Sequence, residues 1–249
     1  MEYAWEVLLA LAAIALLAGA LDTLAGGGGL ITLPALLLAG VPPVQALGTN
    51  KLQSSFGTGM ATYQVIWRRR VHWLNVRRPM LWAFGGSALG AVAVQFLDAE
   101  RLNVVIPVVL ALVAAYFLFV PRSHHPPLAP RVPGAVYGRV VVPAIGAYDG
   151  AFGPGTGSLF ALSGVALRAL PMVQSTAVAK TLNFATNFAA LLVFLVAGKI
   201  VWIVGGVMIV GQLVGAYIGS HLLLRANPFV LRVLIVVVSL AMLARVLLG

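Results

Sequence analysis

The chain has no cysteine among its 249 residues, and Asp, Glu, Lys and Arg together make up only 9% of it. The missing thiols exclude disulfide frameworks, thiolate nucleophiles, iron–sulfur clusters and cysteine zinc sites. A soluble globular chain carries roughly 25% charged residues, so the scarcity of charge excludes an ordinary cytosolic enzyme. Acidic residues number six against sixteen basic ones, for a net charge of +10. That excess does not make a nucleic-acid face, because the basic residues punctuate apolar runs instead of clustering on one polar surface. It fits the Arg and Lys bias of short cytoplasmic loops in membrane proteins.

What the chain has is hydrophobic sequence, 61% of its residues. Six apolar stretches, at 44–67, 80–97, 102–120, 172–197, 201–224 and 229–248, are long enough for a helix to cross about 30 Å of hydrocarbon. The stretch at 5–21 is borderline, and those at 30–38, 137–148 and 159–167 are too short. Residues 1–6 carry Glu2 and Glu6 and no Lys or Arg, which is the wrong start for a signal peptide, so 5–21 is read as structure. The short stretches flank two glycine-rich breaks, Gly26-Gly27-Gly28-Gly29 and Gly153-Pro154-Gly155-Thr156-Gly157. Irregular backbone at membrane depth must be buried in protein or line a polar cavity, since each unsatisfied amide in hydrocarbon costs several kcal/mol. Both breaks are therefore site candidates.

The chain repeats itself. Adding 129 carries Gln45 to Gln174, Lys51 to Lys180, Trp73 to Trp202, Gly86 to Gly215 and Gly90 to Gly219. Upstream of the breaks the offset is 127, taking Gly19 to Gly146 and Asp22 to Asp149. The expected organisation is an all-helical membrane protein of two repeats with about five segments each: residues 1–120, a cytoplasmic linker at 121–136, and residues 137–249. Broken or re-entrant helices fall at the glycine motifs. Arg68, Arg69 and Arg70, with Arg77 and Arg78, mark one loop as cytoplasmic, as do Arg122, Arg131 and Arg139 in and after the linker. An odd number of segments per repeat then makes the second repeat inverted, and the loop equivalent to the arginine run carries only Lys199. His124 and His125 lie in the proline-rich linker without further ligands nearby, so no metal site is expected.

Four ionisable residues remain at membrane depth: Asp22, Asp149, Lys51 and Lys180. A charge there costs at least about 2.5–3.5 kcal/mol on insertion scales and is a functional candidate by default. One alternative is that Asp22 with Lys51, and Asp149 with Lys180, are salt bridges that only fix packing. The breaks offer backbone amides to an anion, through Gly27, Gly28, Gly29, Gly155, Thr156 and Gly157. Thr49, Asn50, Gln53 and Asn183 supply neutral polar groups beside the lysines, with Gln45, Ser54, Gln174, Thr176 and Asn187 near them. No Walker lysine follows the second break, so no nucleotide site is expected. Inverted repeats, broken helices and mid-depth charge together describe a secondary transporter. A passive anion channel is the nearest alternative. An intramembrane aspartyl protease is a weaker one, because no Gly-x-Gly-Asp is present and a lysine repeats with each aspartate.

These motifs resemble a known family. Asp22 with Gly26 through Pro34, followed by Ala46-Leu47-Gly48-Thr49-Asn50-Lys51-Leu52, is similar to the first half of the TauE/SafE sulfite exporter family. Tyr148-Asp149-Gly150-Ala151-Phe152-Gly153-Pro154-Gly155-Thr156-Gly157-Ser158, followed by Ala177 through Asn183, is similar to its second half. The resemblance covers nearly the whole chain. It implies a multi-pass protein of the bacterial inner membrane that exports sulfite or organosulfonates, with a small anionic substrate, protons as a candidate coupling partner, no nucleic acid, no cofactor and no enzymatic activity.

Overall fold

The computed structural model describes residues 3–25, 27–119 and 127–222, and among them every regular element is helical. The first half holds α1 (Trp5–Ala25), α2 (Gly29–Leu38), α3 (Pro43–Trp67), α4 (Trp73–Val94) and α5 (Ala99–Phe119). In the second, α6 (Gly134–Val136) runs through a π-helical turn (Tyr137–Val141) into α7 (Val142–Ala151), followed by α8 (Thr156–Arg168), α9 (Met172–Val196) and α10 (Trp202–Leu222). The stretch expected at 229–248 and residues 121–126 of the expected linker lie outside the described residues. Within the described part, helix starts at Gly134, three residues ahead of the expected boundary, because Pro133 caps it with φ −57° and ψ 144°.

Two segments are longer than apolar runs suggest. α1 has 21 residues and is apolar enough to span from Trp5 to Asp22, which resolves the borderline stretch. α4 starts at Trp73, seven residues before the expected start at Met80, and carries Arg77 and Arg78 exposed on its first turns. A helix continues through the headgroup region where long basic side chains stay wet, so an apolar run marks hydrocarbon and not the helix end. α5, α9 and α10 also have spanning length and hydropathy.

The sequence offset runs through the backbone. α3 and α9 start 129 residues apart, each has 25 residues, and each is capped by a proline, Pro42 or Pro171, with φ −54°. α4 and α10 start at the paired tryptophans. The left-handed positions pair as well: Gly40 (φ 79°) with Ala169 (φ 54°), and Arg69 (φ 51°) with Gly198 (φ 65°).

The halves interleave. α10 packs along α1 and α4 along α7, so the fourth helix of each half lies against the first helix of the other. Glycines make this approach possible. A Cβ at Gly86 or Gly90 would run into the carbonyl oxygens of Pro143 and Ala147, and one at Gly215 or Gly219 into those of Leu16 and Ala20. These are the same contacts shifted by one repeat. α3 and α9 pack on each other at the centre, joined by Thr62 Oγ1 donating to the Lys180 carbonyl at 3.0 Å, and α4 is tied to α9 by Ser87 Oγ donating to the Thr186 carbonyl at 2.6 Å.

Candidate functional site

Polarity is distributed inside out. Leu9, Leu81, Leu112 and Val210 are exposed, whereas Asn50, Lys51, Gln53, Thr58, Asp149 and Asn187 are buried. A chain in water would bury the first group and expose the second. In a bilayer the first group faces lipid and the second lines the protein interior.

Both breaks open onto one small polar cavity, with room for about one water molecule and open in part to solvent. Gly29, the first residue of α2, and Thr156, the first residue of α8, both line it. The breaks touch, since a Cβ on Gly29 would lie 3.5 Å from Pro154 Cα and 3.7 Å from Asn50 Nδ2. Two helix N-termini therefore converge on one space; the amides of Leu30 and Ile31 are taken by the Gly27 and Gly28 carbonyls and that of Thr156 by the Gly153 carbonyl, so each end acts on the cavity through its dipole. The second break is shaped by Gly153 (φ 98°) and Gly155 (φ 76°), with Thr156 Oγ1 donating to the Gly153 carbonyl at 2.8 Å. In the first break, Asp22 Oδ1 accepts from Gly28 N at 3.2 Å.

The opposite walls come from α3 and α9. Asn50, Ser54 and Thr58 line the cavity from α3, and Asn183 and Asn187 from α9. Ser54 and Thr58 stand 129 residues before Asn183 and Asn187, so the cavity lies where equivalent positions of the two halves face each other. Asn50 is held by Thr32 Oγ1, which donates to its Oδ1 at 2.6 Å, and by Gln53 Nε2 at 2.9 Å.

Lys51, Asp149 and Lys180 stand outside this lining, Asp22 is part of it, and the charges pair across the halves. Lys51 Nζ lies 2.9 Å from Asp149 Oδ1, and both side chains are about 1% exposed. It also donates to Asn187 Oδ1 at 3.3 Å. Gly153 completes the nest, because a Cβ there would come within 2.7 Å of Lys51 Nζ and 3.3 Å of Asp149 Oδ1. Asp149 Oδ2 has no hydrogen-bond donor among the described residues. Asp22 and Lys180 interact electrostatically, both only half-buried. The alternative that paired Asp22 with Lys51 and Asp149 with Lys180 inside each half is thus corrected: interleaving sets the lysine of one half against the aspartate of the other.

Of the residues singled out by sequence, Asp22, Gly29, Asn50, Gly155, Thr156, Gly157 and Asn183 line the cavity, and Lys51, Lys180 and Asp149 do not. Gln53 holds Asn50, and Gln53 Oε1 is buried with no donor among the described residues. Gly27 and Gly28 are buried in the turn into α2, their carbonyls accepting from Leu30 and Ile31. Thr49 points elsewhere, accepting from Val201 N at 3.0 Å and tying α3 to the start of α10. Sequence reasoning missed Thr58, although adding 129 to its number gives Asn187, and it missed that Gly153 seats the Lys51 ammonium.

A bundle with lipid-type exterior, two broken helices and a polar cavity at the breaks defines a multi-pass membrane protein of the transporter class. Residues 11–246 match the family described as Sulfite exporter TauE/SafE. The chain belongs to that family. A probable membrane transporter protein of Haemophilus influenzae is 37% identical over 245 residues, covering 98% of this chain and 96% of the relative. Probable membrane transporter protein ORF9 of a Sinorhizobium species is 41% identical, covering 99% and 94%. Probable membrane transporter protein YfcA of Escherichia coli K12 is 40% identical, covering 94% and 87%. No solved structure matches the chain.

Proposed function

We propose that this protein is a secondary carrier that exports small sulfur-containing anions, sulfite or an organosulfonate, across the bacterial inner membrane without ATP. The observation that carries this reading is the convergence of the α2 and α8 N-termini on one polar cavity backed by a buried lysine. Paired half-helix N-termini at the interface of two repeats are the anion-binding arrangement of inverted-repeat carriers. The family description supports sulfite as the first anion to test.

Charge compensation gives the mechanism. A lysine buried alone would cost several kcal/mol, and Asp149 2.9 Å from Lys51 removes most of that cost. An anion entering the cavity competes with Asp149 for the Lys51 charge, transmitted through Asn187. The carboxylate that loses its partner then takes up a proton, which ties anion movement to proton movement. Asp22 and Lys180 play the same parts in the other half. A protease dyad needs two carboxylates sharing a proton, whereas Asp149 is in contact with an ammonium. Flux into proteoliposomes from a panel of sulfite, sulfate, thiosulfate, sulfoacetate and acetate tests the substrate. Saturable sulfite or sulfonate flux that is stimulated by the same anion on the far side is the carrier result, and movement of none of the sulfur anions sinks the substrate assignment.

A further inference from the structure

Within that anion-binding reading, we infer that Ser54 and Asn183 form a pseudo-twofold pair of neutral donors that grips the anion and sets which oxyanions are taken. The two residues occupy equivalent positions, 129 residues apart, on α3 and α9, and both line the cavity. The residues one turn further along, Thr58 and Asn187, are equivalent too, and they spend their hydrogens in the same way. Thr58 Oγ1 donates to the Ser54 carbonyl at 2.7 Å, and Asn187 Nδ2 donates to the Asn183 carbonyl at 2.8 Å. Each back-bond turns the polar hydrogen of Thr58 or Asn187 away from the cavity.

Ser54 and Asn183 keep theirs. Ser54 Oγ accepts from Gln53 Nε2 at 3.0 Å, and its own O–H donates to no described residue. Asn183 is 7% exposed; its Oδ1 accepts from Asn187 Nδ2 at 3.1 Å, which turns its Nδ2 group the other way, and that group donates to no described residue. The Nδ2 group is not among the buried unpartnered atoms and lines the cavity, so it is open to an acceptor that arrives from outside, where an anion oxygen can replace water. Two donors on facing helices suit an anion with at least two oxygens. Two neutral donors with the lysines held behind the wall favour a compact monoanion, since a dianion would need charge at the wall itself. The halves differ in chemistry, a hydroxyl from one and an amide from the other, so the grip is not symmetric in strength.

The test uses the full-length protein in proteoliposomes, with uptake measured for sulfite, methanesulfonate, sulfate, phosphate and acetate. Ser54→Ala and Asn183→Ala should each weaken half-saturation by about three- to tenfold for the anion the wild type takes best, as expected for loss of one net hydrogen bond. The exchange variant S54N/N183S, which keeps one hydroxyl and one amide, should stay within about threefold of wild type. Unchanged half-saturation in both alanine variants, in monodisperse protein, overturns the pair. If the wild type carries an anion that contains no sulfur, the substrate assignment fails while the same variants still test the pair on that anion. If it carries none, Ser54→Cys and Asn183→Cys decide the matter, because the chain has no other thiol. Faster reaction of both with an anionic than with a cationic methanethiosulfonate reagent supports the pair, and no such preference overturns it.

Discussion

At the residue scale, the central feature is a salt bridge whose partners lie 98 positions apart, Lys51 and Asp149. Breaking it from one side strands a buried charge, so Lys51→Gln or Asp149→Leu should lower stability in detergent by about 3–5 kcal/mol. The double variant K51M/D149L should recover most of that loss, which a double-mutant cycle on unfolding temperatures measures. Gly153→Ala should act on the same nest, since the position combines φ 98° with Lys51 Nζ only 2.7 Å from the new methyl. Functionally the two partners should differ: Lys51→Gln is expected to abolish anion binding and Asp149→Asn to leave some of it, as titration of each variant with the anion would show. The four charges at membrane depth were legible in the sequence because ionisable residues are rare in this chain and recur at fixed offsets. Their partners were not legible. Nearness along the chain favours a partner in the same half, and only the interleaving of the halves puts Lys51 on Asp149.

At the scale of elements, the helices are set by where backbones must approach closely. Gly90 and Gly219 sit against the carbonyls of Ala147 and Ala20, while Gly85 and Gly206 face nothing within 4 Å. Alanine at Gly90 or Gly219 should therefore cost about 1–3 kcal/mol through overpacking, and alanine at Gly85 or Gly206 should leave the unfolding temperature unchanged. Equal effects at all four would remove the close α4–α7 and α1–α10 approach as the explanation. The breaks before α2 and α8 were legible as glycine runs; in the second, Gly153 (φ 98°) and Gly155 (φ 76°) hold left-handed positions that favour glycine, whereas in the first Gly28 is already helical at φ −54° and ψ −39°. The start of α4 was not, since Arg77 and Arg78 end the apolar run without ending the helix. The cavity face of α3 was only partly legible: Thr58 is an ordinary helix residue until its equivalence to Asn187 is used.

At the scale of the whole molecule, the account requires the two halves to cross the membrane in opposite senses. Arg69→Cys and Lys199→Cys, introduced singly into a chain without native thiols, should label from opposite sides with a membrane-impermeant maleimide, and labelling from one side contradicts the inverted arrangement. Each half contributes one helix N-terminus, one cavity-lining helix and one lysine, Lys51 buried and Lys180 half-buried, so loss of either lysine should stop the same cycle. Anion flux into proteoliposomes tests this most directly, with wild type compared against Lys51→Gln and Lys180→Gln at matched, monodisperse incorporation. The account predicts saturable, ATP-independent movement of sulfite or a sulfonate by the wild type and none above background by either variant. Wild-type rates in both lysine variants would contradict it and leave the buried charges with a packing role alone.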